Sequence, residues 1–367
     1  VNTVRASEAA RQGAPLEASS QRNQAIDVLR GFGIVGVVVG HAFSGAPTTP
    51  IFWVHMPLFF AVSGSLYRPV ARWPGLRSWV ARRAHALLVP YAAFLVLTAL
   101  ATALAGRHGA IWQAWVPPAS VTGSTPAINP WLSLLLGGRA IGGTFVIYWF
   151  TTCLFATQVL FAAMLLAVRS RVVCAGLVLV AYALAHVESS LFPGPRLPVV
   201  PWALDTALMA FPFYALGFVG RRMLSLECRG ARVLSAVAVA AAVGLTVCRL
   251  IGVFHYKLDL RALEYRHPAL DLVVPVLFIL ALAWLSRLVV RTPLKGVFTL
   301  LGTTTMPIMY LHIPLAKAMF AVVRVPRVTL AHLFLLAVIC LFAPAGLARL
   351  LFPRFRLLRL GLLGARS

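Results

Sequence analysis

Acidic residues are scarce in this chain: 9 Asp and Glu stand against 33 Lys and Arg over 367 residues, and lysine is nearly absent from the basic set. Charge of either sign is thin as well. At 11% of residues it is about half of what a soluble domain carries. Together with 60% hydrophobic residues and a mean hydropathy of +0.87, this excludes an ordinary soluble domain. The net charge of +24 would suit a nucleic-acid partner, but the basic residues are scattered between apolar runs rather than gathered on one polar domain, which argues against it. Cysteine is also sparse. Cys153, Cys174, Cys228, Cys248 and Cys340 show no paired spacing and no metal-ligand pattern, so neither disulfides nor a metal site is expected.

What the chain has instead is apolar length. Runs long enough to span a bilayer fall near 26–45, 51–68, 86–105, 144–168, 172–187, 202–220, 233–252, 269–290, 299–322 and 330–352. The expected fold is therefore all-α: a polytopic integral membrane protein of about ten transmembrane helices. One alternating set of connections carries roughly twice as many Lys and Arg as the other, which by the positive-inside rule places the N- and C-termini in the cytoplasm. Residues 1–24 read as a disordered cytoplasmic lead, 25–352 as the transmembrane domain and 353–367 as a basic cytoplasmic tail. A signal-peptide reading of residues 22 to 45 is the alternative, although cleavage there would discard the most distinctive residues of the chain.

Two connections on the outer side are long. Residues 106–143 carry Trp112, Trp115 and Trp131 among prolines and glycines, which suggests an ordered interfacial segment. Residues 253–268 hold His255, Lys257, Asp259, Arg261, Glu264, Arg266 and His267. Such a cluster suits either contact with a hydroxyl-rich acceptor or a solvated loop with internal ion pairs. No internal repeat is visible, so the inverted-repeat architecture of many transporters finds no support.

The stretch Asp27 to His41, DVLRGFGIVGVVVGH, is the most informative. Arg30 and His41 lie eleven residues apart, close to three helical turns, so they share a face at about 16 Å along the axis. An arginine in an apolar helix costs about 2.5–3.5 kcal/mol on insertion scales and persists where it faces a bundle interior or a cavity. The bland reading is a flanking charge neutralised by Asp27 one turn away. Gly31, Gly33, Gly36 and Gly40 keep this helix narrow enough for close neighbours. With the amino end inside, a polyanionic acyl-coenzyme A would meet Arg30 and the cytoplasmic arginines Arg68, Arg72, Arg77, Arg82 and Arg83. His41 is then a candidate general base for a hydroxyl nucleophile. His55, in FWVHMPLFFAVSGSLYRP, starts the next span on the same side as His41 and either shares its chemistry or is an interfacial histidine bonded to backbone. Ser63 and Gly64 in that span read as packing residues.

LRGFGIVGVVVGH followed by HMPLFFAVSG resembles the membrane-bound acyltransferase 3 family, in the fucose 4-O-acetylase-like branch that acylates bacterial surface sugars. The likeness continues in order through RRAHALLVPY, YWFTTCLF, DTALMAFPFYALGF and LGTTTMPIMYLHIPL, covering about residues 24 to 350. The resemblance implies a ten-helix enzyme of the bacterial cytoplasmic membrane that moves acetyl from acetyl-coenzyme A to a sugar hydroxyl, with Arg30 and His41 as the functional pair. Some family members carry a further hydrolase-like domain. None is expected here, which leaves the whole reaction to the transmembrane part. His85 departs from the family pattern and receives no role.

The remaining polar residues of the spans extend the candidate site. Asp205 opens the sixth span inside a family-like motif and is a candidate for binding the acceptor or orienting a histidine, whereas Asp271 at the start of the eighth reads as a helix cap. Tyr310 and His312 lie mid-span between Pro307 and Pro314, where a broken helix can open backbone to a cavity, and are candidate substrate contacts. The expected site is thus His41 and His55 for catalysis, Arg30, Arg82 and Arg83 for the acyl-coenzyme A, and Asp205, Tyr310 and His312 for the substrate. Expected partners are the acyl donor, a lipid-linked oligosaccharide or polysaccharide acceptor, membrane lipids and a polysaccharide assembly machinery. A glycolipid or polysaccharide transporter or flippase, another acyl group or acceptor, and a scaffold for polymer export are the rival readings.

Overall fold

The computed structural model describes residues 24–43, 48–106, 136, 143–192, 200–224, 229–323 and 329–354. The expected lead, nearly all of the tryptophan-rich connection 106–143 and most of the basic tail lie outside the described residues. Among the described residues eleven helices longer than one or two turns carry the fold: α1 (Gln24–Ala42), α2 (Thr49–Ser65), α3 (Trp73–Gly106), α4 (Trp149–Ala167), α5 (Arg171–Leu191), α6 (Leu204–Val219), α7 (Arg229–Leu250), α8 (Pro268–Val289), α9 (Lys295–Thr303), α10 (Thr305–Val323) and α11 (Leu330–Gly346). Among the described residues no β-strand occurs, only an isolated bridge between Asp259 and Glu264. Eight of the helices are long and apolar enough to cross a membrane; the two expected spans outside that eight are α2 and the α9–α10 pair.

Each expected apolar run falls on a helix, with one difference. The run 299–322 is divided at Thr304 rather than at either proline pair member alone. Three successive threonines supply the reason. Thr303, Thr304 and Thr305 turn their hydroxyls back onto carbonyls three or four residues earlier, including Leu300 O at 2.7 Å and Gly302 O at 2.7 Å. Such bonds compete with the helical ladder, and Pro307 has no N–H to give to the Thr303 carbonyl.

Small residues set the interior. Gly64 of α2 lies so close to Tyr214 of α6 that a Cβ would stand 2.0 Å from the Tyr214 carbonyl oxygen, and a Cβ on Gly217 would stand 1.9 Å from that of Ala61. The same device joins α1 to α9, where a Cβ on Gly31 would meet Phe298 O at 2.3 Å and one on Gly302 would meet Asp27 O at 1.8 Å. In a lipid solvent this close approach, rather than hydrophobic exclusion, is what holds helices together. On its other side α1 packs Gly33 against Phe59 and Leu58, and Gly36 and Gly40 against Ile51 and Phe52 of α2. The four glycines therefore serve two neighbours. Helices α5 and α7 lie at the rim, with Val172, Leu179, Val187, Val233, Val237 and Val243 exposed.

The connection from 251 to 267 leaves His255, Lys257, Arg266 and His267 exposed and holds an internal ion pair, as one of the two expectations had it, but its apolar residues join the core. Tyr256, Leu258, Leu260, Leu263 and Tyr265 are buried in the main core, Trp53 Nε1 donates to Tyr256 O at 3.2 Å, and Lys257 pairs with Glu264. Asp271 anchors its far end as the helix cap expected from sequence: Oδ2 accepts from the backbone N–H of His267 at 2.8 Å. It also accepts from Tyr256 Oη at 2.8 Å and His186 Nε2 at 3.1 Å. Burial and the adjacent carboxylate push the Tyr256 hydroxyl well above its ordinary range, so it remains a donor.

Candidate functional site

Gly31 precedes His41 by ten residues, and Gly302 precedes His312 by ten. Since the two glycines meet where α1 crosses α9, the parallel run of α1 and α10 brings the two histidines together about 15 Å further on. Their ring centroids lie 5.3 Å apart with the planes inclined at 42°. Both line a cavity of about 230 Å³ walled by Val38 and Ala42 of α1, Ile313, Ala316, Lys317 and Phe320 of α10, and Leu336 and Cys340 of α11. His41 is exposed at this cavity, whereas His312 is buried. A larger concavity of about 630 Å³ runs along one face of α3 past His85, but its remaining lining is Ala, Leu and Val, so His85 is the one polar side chain it offers.

Hydrogen bonding decides what these rings can do. His312 Nδ1 lies 3.0 Å from Ile308 O, and His55 Nδ1 lies 2.7 Å from Ile51 O, each one turn back on its own helix. A carbonyl can only accept, so Nδ1 carries the proton in both rings and Nε2 holds a lone pair. Among the described residues the buried Nε2 of His312 has no hydrogen-bond partner. His55 stands behind Phe52, whose ring meets His55 edge-on at 5.2 Å and His41 edge-on at 6.3 Å. His55 is therefore within electrostatic range of His41, as is Arg261, without lining the cavity.

The other candidates are distributed unevenly. Arg30 sits at the far end of α1 and pairs with Asp27 at 3.6 Å, the neutralising contact that the bland reading foresees, with both side chains about one-third exposed. Arg82 is exposed on α3, and Arg83 lies over the Trp79 ring at 5.5 Å. Tyr310 is on the face of α10 opposite His312. It stacks on Phe94 at 4.9 Å, and its hydroxyl meets Thr151 Oγ1 at 2.5 Å. Asp205 is buried at the start of α6, where Oδ1 accepts from Thr206 N at 2.6 Å. The chain enters that helix through Trp202 and Ala203, both left-handed at φ 59° and 55°, a strained approach for residues with a Cβ.

Lys317 is the residue that sequence reasoning missed. It lines the cavity with the two histidines, and its Nζ donates to Thr144 Oγ1 at 3.2 Å. The signal was available: a lone lysine within an apolar run marks a cavity or a pathway. Cys340, also in the wall, gives its thiol to the carbonyl of His312 at 3.4 Å and so braces the turn that carries that ring.

A family model described as an acyltransferase domain, acyltransferase 3, matches residues 23–349. The chain belongs to that family. No curated protein and no solved structure gives a significant match. For a membrane acyltransferase, the cavity supplies what the reaction asks of a protein: an imidazole whose lone pair can take the proton of an attacking nucleophile, at a site walled by apolar helix faces. No group of three or more His, Cys, Asp or Glu among the described residues is arranged to hold a metal.

Proposed function

We propose that this acyltransferase moves acetyl from acetyl-coenzyme A to a hydroxyl of a bacterial surface polysaccharide or of its lipid-linked repeat unit, at the cytoplasmic membrane. The observation that carries the reading is the His41–His312 pair on one cavity wall in a chain of the acyltransferase 3 family. His41, exposed at the cavity, takes the proton from the attacking hydroxyl. His312, whose free lone pair lies beside it, orients that ring and shares the proton as the hydroxyl attacks the thioester carbon. His55 tunes His41 from behind Phe52.

The donor's phosphates belong to the Arg30 end of α1, with Arg82 and Arg83 adding to the positive potential on the cytoplasmic side. The thioester then reaches His41 by extending along α1, a distance of about 16 Å for eleven residues. Asp205 and Tyr310 are buried away from this cavity, Tyr310 in the stack with Phe94 and Tyr148, so neither is given an acceptor contact. The first test is the O-acetyl content of the host's surface polysaccharide in a strain lacking the chain, complemented with the native sequence or with His41→Ala. Acetyl returns only with the native chain. Unchanged acetylation with failed polymer export would replace this reading by the transporter.

A further inference from the structure

Acyl transfer needs a proton acceptor and, separately, a donor for the negative charge that develops on the carbonyl oxygen. His312 supplies only the first. With Nδ1 committed to Ile308 O, its Nε2 can accept but not donate. Backbone N–H groups along a helical wall are consumed by the helix ladder. Of the residues that line the cavity, Cys340 gives its weak thiol donor to the His312 carbonyl, and the rest apart from Lys317, His41 and His312 are apolar. Lys317 is the cavity's cation. Its ammonium has three donors, one of which is held by Thr144 at 3.2 Å. Thr144 is itself fully buried, in the short 3-10 turn Gly143–Phe145. Lys317 belongs to the cavity lining and lies five residues, or about 7.5 Å, beyond His312 along α10, so the ammonium has two donors beyond the one given to Thr144.

We propose that Lys317, held in place by Thr144, is the oxyanion-stabilising residue of the acyl transfer. This rests on the proposed function. In the step, the sugar hydroxyl oxygen bonds to the thioester carbonyl carbon and its proton passes to His41. The carbonyl electron pair moves onto oxygen beside the Lys317 ammonium. Collapse of that intermediate breaks the carbon–sulfur bond, and the departing thiolate recovers the proton from the imidazolium, leaving ester and free coenzyme A. A lysine that only tied α10 to the 3-10 turn would affect folding and leave turnover alone.

The test uses the full chain in nanodiscs, radiolabelled acetyl-CoA as donor and a lipid-linked saccharide extract of the host membrane as acceptor. Lys317→Gln is expected to lower kcat about 100- to 1,000-fold with KM for acetyl-CoA within about twofold of native. Lys317→Arg should recover at least about tenfold of that loss, because it restores the charge and the donors. Thr144→Val, which keeps the ammonium but removes its tether, should cost about tenfold or less. A native kcat in Lys317→Gln, or a raised KM at unchanged kcat, overturns the assignment. If Lys317→Gln does not fold, Lys317→Met keeps the apolar stem and is read by the same criteria. His41→Ala separates the two levels. Native transfer that is lost in His41→Ala but kept in Lys317→Gln removes only the Lys317 role, whereas absence of transfer by the native chain removes the proposed function and this inference with it.

Discussion

Two histidine clusters in this bundle use the same side chain in opposite ways. His186 gives Nδ1 to Tyr182 O at 2.9 Å and Nε2 to Asp271 at 3.1 Å. A carbonyl and a carboxylate both accept, so both ring nitrogens have a partner that a ring N–H can serve. With Tyr256 and the His267 N–H on the same carboxylate, that cluster has nothing left to offer a substrate. His312 fills only one nitrogen, and it stands beside His41 on a cavity. Full satisfaction marks the cluster that fastens the 251–267 connection to α5 and α8; the lone pair left bare among the described residues marks the one proposed to act on the substrate.

The sharpest way to break this contrast is His41→Ala, which is expected to lower kcat for acyl transfer by about 1,000-fold while the thermal midpoint stays close to native. Loss of the midpoint together with the activity would make His41 structural. Asp271→Ala should do the reverse. It removes the acceptor of the His186 ring, the Tyr256 hydroxyl and the His267 N–H, at a cost of about 1–3 kcal/mol, seen as a lower unfolding midpoint with native kcat retained below it. His312→Ala is the intermediate case: a fall in kcat of about 10- to 100-fold with little change in the midpoint, measured on the same preparations. Equal thermal losses in His312→Ala and Asp271→Ala would erase the distinction between the clusters. The least direct for the chemistry is Gly302→Ala, whose new Cβ meets Asp27 O at 1.8 Å, so the two helix backbones must move apart. Separating α1 from α9 is expected to cost about 1–3 kcal/mol, and kcat should fall only as far as the His41–His312 spacing opens.

Much of the fold was legible in the sequence because lipid imposes a simple rule: every spanning segment must be long, apolar and helical. The ten runs, the narrow glycine-lined α1 and the capping role of Asp271 all followed from local pattern. The break at Thr304 did not, since Pro307 and Pro314 draw attention to positions further on, while the break needs the threonine hydroxyls bonding back to earlier carbonyls as well as the N–H that Pro307 lacks. For the candidate site, His41 and His312 were each singled out from sequence, but their pairing was not legible. His312 reaches His41 only through a pairing of distant helices, and single-chain periodicity carries no information on which helices pair. The repeated ten-residue interval from Gly31 to His41 and from Gly302 to His312 encodes that register, and it becomes readable once the glycines are known to touch. Tyr310 shows the converse. It lies two residues from His312 in sequence, yet two residues is more than half a helical turn, and its ring belongs to the Phe94–Tyr148 stack.

The most direct measurement is a cryo-EM map of the full chain in nanodiscs with a thioether analogue of acetyl-CoA. The expected result places the acyl end in the cavity within hydrogen-bond distance of His41 and Lys317, with the donor's phosphates toward Arg30. Acyl density on the α3 groove beside His85, or away from His41 altogether, would contradict the assignment of this cavity as the site of transfer.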